Sequence, residues 1–167
     1  MANARVRILL TALSLVAVPC GGCSLMNRNL QRDSLPTKLK IGWFYAEGSC
    51  NTFLSYQGAF VFSLRQDTID KIKEQGIGYF DDIRGEQNGP ARHYFSNEKW
   101  RETPVPDEAM DRGTLMNLYC GKQHSWLWPS GIEGALKRPG SFYTDTGARG
   151  ILVIPSLGLV AASASDR

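Results

Sequence analysis

Cys120 and His124 lie four residues apart, and a thiolate beside an imidazole is a working nucleophile arrangement. The same two residues could contribute to a zinc site, but a full ligand set would need Cys50 and His93 as well. No other close ligand pair exists, so no metal or other cofactor is assigned. Trp126 and Trp128 flank Leu127 in the segment His124 to Pro129. On a strand the two indoles would point the same way and, with His124, could stack on sugar rings. Large aromatics more often fill cores and interfaces than serve as such platforms. Asp81, Asp82, Arg84 and Glu86 form a charged cluster without a recognised cation-ligand spacing, and read as a solvated face.

Asp145-Thr146-Gly147-Ala148 resembles the signature of retroviral-type aspartic proteases. That chemistry needs two carboxylates held together so that one stays protonated. Only 19 residues follow Ala148, too few for the flap and later strands that the resemblance implies. Asp-Thr-Gly is also ordinary turn chemistry before a strand, and that reading is preferred. No catalytic residue is therefore assigned.

Two further cysteines sit behind the N-terminal apolar run. Arg5 and Arg7 precede Ile8 to Val18, eleven residues broken only by Thr11 and Ser14. A spanning helix needs about 20 apolar residues, so this run is too short to stay across a bilayer. A basic start, a short apolar run and small residues make a secretory signal. With Cys20-Gly21-Gly22-Cys23 behind it, the segment resembles a bacterial lipoprotein precursor. In that family a peptidase cuts before a cysteine carrying diacylglycerol. Cys20 follows Pro19, a poor residue at a scissile bond, whereas Cys23 follows two glycines. Cys23 is taken as the lipidated residue, with Cys20 standing where the family usually has Leu. Ser24 after it implies sorting to the outer membrane rather than retention in the inner one. Palmitate-type acylation would anchor firmly, because each buried methylene contributes about 0.8 kcal/mol.

That resemblance changes how the remaining residues are read. Removing 22 of 167 residues leaves 145, the size of one domain. Arg5 and Arg7 leave with the signal, so 17 basic residues face 16 acidic ones and nothing recommends nucleic acid as a partner. With 43% hydrophobic residues the chain can build a packed core. Cys50 and Cys120 are left, and in an oxidising envelope compartment they read as one disulfide. If they are bonded, the thiol nucleophile and the zinc site both fall.

The elements that must position these residues follow from periodicity. Ser24 to Lys38 is polar, contains Pro36 and reads as a tether. Lys38 to Ala46 alternates as a strand with Leu39, Ile41, Trp43 and Tyr45 on one face. Thr52 to Tyr56 and Ala59 to Phe62 are short strands. Ser63 and Gln66 fit a capping box opening a helix over about 64–75, with Gly76 as its stop. Ile77 to Ile83 fits either a helix or a strand, and Arg92 to Phe95 a strand. Thr103 to Pro106 is extended, Pro106 to Ala109 opens a helical turn, and Ile132 to Leu136 is a short helix. Thr114 to Cys120 alternates and reads as a strand. Gly150 to Pro155 and Leu159 to Ser163 form a hairpin across Ser156-Leu157-Gly158.

The sum is an α+β protein, mainly an antiparallel sheet with one principal amphipathic helix. Residues 1–22 are the signal, 23–38 the lipid-anchored tether and 39–167 one globular domain. The expected role is a membrane-anchored envelope lipoprotein on the periplasmic face of the outer membrane. It would be non-enzymatic, structural or binding, with an envelope protein or peptidoglycan as partner. The alternatives are a small hydrolase using Cys120 and His124 or Asp145, and a glycan module using Trp126 and Trp128.

Overall fold

The computed structural model describes residues 28–50, 56–83 and 99–165. Residues up to Arg32 belong to a separate N-terminal unit, in which 28–32 are helical. The body begins at Asp33. Leu35, within the segment read as a tether, is only 5% exposed and joins the body's core. Cys20 and Cys23 lie outside the described residues, as do His93, Arg84, Glu86, the strand read over 92–95 and most of that over 52–56.

Six strands form one antiparallel sheet: β1 (Ile41–Ser49), β2 (Gln57–Leu64), β3 (Arg101–Glu102), β4 (Phe142–Asp145), β5 (Arg149–Ile154) and β6 (Leu159–Ser165). Their spatial order is β1-β2-β6-β5-β4-β3. The β1–β2 hairpin therefore abuts a meander that returns from the far edge, and the joint is the β2–β6 ladder running from Gln57↔Ser165 to Ser63↔Leu159. The fold is α+β.

Helices cover both faces of this sheet. On the first lie α1 (Gln66–Gln75) and a 3₁₀ segment (Gly76–Ile83). Period two sends Phe60, Phe62, Ile151, Val153 and Val160 to that face, where Ile69, Ile72 and Phe80 meet them. Their neighbours Ala59, Val61, Leu152, Ile154 and Ala161 point the other way, toward α2 (Asp107–Arg112), α3 (Asn117–His124) and α4 (Ile132–Lys137). Burial on both sides explains why Gly150 to Pro155 reads as an unbroken apolar run. The expected hairpin is present, closed at Pro155–Gly158 with Gly158 at φ 65°, where a glycine fits without strain.

Several expectations are corrected. Ser63 does not cap α1; it lies in β2, and its Oγ accepts the Trp43 amide at 3.0 Å. Arg65 occupies the cap position without a side-chain bond, and α1 starts at Gln66. Gly76 does end it, at φ 56°. At the start of α1, Asp67 takes a 2.9 Å bond from Lys40, which holds its carboxyl below the usual range. In β1, register shifts between Ile41 and Phe44 and between Phe44 and Ala46 break the alternation. Ile41 and Phe44 pack on the first face as a result, while Trp43 is 75% exposed. Thr114 to Cys120 is not a strand. Leu115 and Leu118, three apart, pack on the second face as the chain enters α3.

Candidate functional site

Cys50, just past β1, and Cys120, in α3, are joined in a disulfide. Their Cα atoms are 5.7 Å apart, within the range such a bridge requires. The approach is possible because Gly48 and Gly121 meet back to back. A Cβ built on Gly48 would lie 2.6 Å from the Gly121 carbonyl oxygen. On its other side Gly121 abuts the indole of Trp128, so any side chain there would displace that ring. The sulfur of Cys120 is consequently bonded, and His124, exposed at the end of α3, has no thiol four residues back to activate.

Trp126 and Trp128 do not lie on a strand. The segment turns after α3, with the Trp128 amide donating to the Ser125 carbonyl at 3.2 Å. Trp128 folds back onto Gly121 and the second core cluster. Trp126 projects outward and is 92% exposed, with Leu127 half exposed beside it. Only one of the two indoles is open along its whole face.

Asp145 ends β4, and its carboxylate is occupied. Oδ2 accepts the amides of Thr114 at 2.7 Å and Leu115 at 3.0 Å; Oδ1 accepts the Gly147 amide at 2.8 Å and the Thr114 hydroxyl at 3.2 Å. Thr146 closes the same turn, its Oγ1 accepting the Arg149 amide at 3.0 Å. Gly147 at φ 80° supplies the left-handed position. The Asp-Thr-Gly string is thus a turn that also clamps the start of α3. Four donors, three of them backbone amides, converge on this one carboxylate.

Beside Asp145 is a cleft of about 230 Å³ that sequence reading did not find. Its walls include Lys99, Arg101, Arg112, Gly113, Tyr143 and Asp145. Arg101 of β3 pairs directly with Tyr143 of β4, which sets both side chains on one face of the sheet. Lys99, Arg101 and Arg112 have no recognisable spacing, and the sheet edge and α2 bring them together. Among the described residues no cluster of His, Cys, Asp or Glu could hold a metal, and no helix is long and apolar enough to cross a membrane.

No family model, curated protein or solved structure matches this chain.

Proposed function

We infer that this chain is a lipoprotein of the bacterial envelope, tethered through a lipid on Cys23, whose body acts by binding rather than by catalysis. The observation that carries the reading is the bond between Cys50 and Cys120. A disulfide belongs to an oxidising compartment, and the basic, apolar and small-residue run before Cys23 would deliver the chain to one. Pairing the two distal cysteines leaves the two N-terminal ones for the signal and the anchor. Ser24 favours the outer membrane over the inner. A hydrolase built on Cys120 would need its sulfur free, and one built on Asp145 would need to break four hydrogen bonds first.

Mass spectrometry of the processed N-terminus tests the anchor. Acylation on Cys23, with release of Cys23→Ser from the membrane fraction, is the expected result. An unmodified terminus, or an intact precursor in the cytosol, overturns it. Contact with peptidoglycan is a second reading, favoured by the full exposure of Trp126. Peptidoglycan fragments should then quench tryptophan fluorescence, and no change at saturation removes that reading.

A further inference from the structure

We propose that the cleft between β3, β4 and α2 binds a small phosphate-bearing ligand. Among the described residues three cations line it: Lys99, Arg101 and Arg112. Neither Lys99 nor Arg101 has an acidic partner among the described residues. Arg112 meets Glu108 at 3.2 Å, but both side chains are at least three-quarters exposed. A helix-surface pair of that kind contributes little and is readily exchanged for a better anion. Among the described lining residues the one carboxylate, Asp145, directs its oxygens at the amides of Thr114, Leu115 and Gly147, which blunts its repulsion of an incoming anion.

The independent observation is Tyr143. This residue is 3% exposed and lines the cleft; its backbone is paired with Arg101 and Leu152 in the sheet, while its hydroxyl bonds to no described residue. Its hydroxyl is not among the described side-chain atoms sealed from solvent without a partner, so the buried ring leaves a donor at the cleft for an occupant. An anion oxygen held by Arg101, its cross-strand neighbour, would receive that hydroxyl. Guanidinium groups match phosphate with paired N–H donors, and a lysine adds a point charge. A volume of about 230 Å³ falls below the roughly 300–1,000 Å³ of sites for drug-sized ligands. The occupant is therefore one phosphate with a few attached atoms. This assignment deepens the binding role inferred above and is independent of the lipid anchor.

The test uses the full-length protein in detergent at constant ionic strength, titrated with inorganic phosphate, glycerol 3-phosphate and, as a soluble stand-in for a lipid headgroup, glycerophosphoglycerol. Backbone amide shifts are followed by NMR. Saturable shifts confined to Arg101, Gly113, Gly147 and their neighbours are expected with at least one probe, and the preferred probe tells a free monoester from a headgroup. Arg101→Ala should weaken binding by about tenfold, as losing a charge-assisted bond at a partly exposed site implies. Tyr143→Phe and Lys99→Ala should weaken it less, while Lys122→Ala, outside the cleft, should not change it. The proposal is overturned if no probe gives saturable shifts, or if Arg101→Ala, Tyr143→Phe and Lys99→Ala all bind as the unaltered protein does.

Discussion

Asp145 shows how one side chain can join two distant parts of the chain. Its carboxylate takes the Gly147 amide two residues ahead and the Thr114 and Leu115 amides some thirty residues back. Those two amides belong to the turn that feeds α3, where no neighbouring carbonyl reaches them. Hydrogen bonds to a charged acceptor contribute about 1.5–3 kcal/mol each at best, and Asp145 is partly exposed, so the total is discounted. Asp145→Ala should therefore lower unfolding stability by about 2 kcal/mol, and Asp145→Asn, which keeps one acceptor oxygen, by less. Urea unfolding measures both, and an unchanged midpoint in Asp145→Ala would show that the clamp is incidental. Half of this arrangement is visible in the string Asp-Thr-Gly, whose turn chemistry is local. The other half is not, because nothing around Thr114 marks it as the partner of a carboxylate in β4. The same limit hid the cleft: Lys99, Arg101 and Arg112 share a wall only after β3 is laid beside β4.

Between elements, β1 and α3 approach closely at Gly48 and Gly121. With no side chain on either residue, the helix settles onto the end of the strand, and the Trp128 indole packs on the other side of Gly121. Gly48→Ala would press a methyl group into the Gly121 backbone, which cannot yield as a flexible side chain would. A loss of about 1–3 kcal/mol is expected, the usual range for overpacking. Gly78 in the 3₁₀ segment is the internal control: nothing lies within 4 Å of a Cβ there, so Gly78→Ala should be neutral or slightly stabilising. Equal effects at the two sites in thermal unfolding would refute the packing argument. Elements formed by strong local signals were legible, among them the β5–β6 hairpin and the stop of α1 at Gly76. α3 was not. Thr114 to Cys120 is seven residues long, too short for periodicity to separate helix from strand: Leu115 and Leu118 share a face only at helical spacing, while the run also alternates as a strand would. Alternation marks β1 but not its faces, since two register shifts, which nothing in the sequence marks, reset the alternation.

For the molecule as a whole, the disulfide and the sheet divide the work of holding the chain together. The bridge spans 70 residues, from the end of β1 to α3, and encloses β2, α1, the 3₁₀ segment, β3 and α2. α4 and the strands β4 to β6 lie outside that loop, tied instead by the β2–β6 ladder and by Asn117, whose amide donates to the Ala164 carbonyl at 3.1 Å. Closing a loop of this length removes unfolded-state entropy worth roughly 4 kcal/mol in the chain-entropy model. Against a net stability of about 5–15 kcal/mol, that is a large share but not the whole. The double variant Cys50→Ala with Cys120→Ala should accordingly still fold, through the ladder and the two core layers. Its urea midpoint should fall by an amount equivalent to about 4 kcal/mol, and the slope should rise because the unlinked chain exposes more surface when unfolded. Adding a reductant to the unaltered protein should reproduce both changes. If reduction leaves midpoint and slope where they were, the bridge constrains nothing that the sheet has not already fixed. The envelope location proposed above would then lose its main structural support.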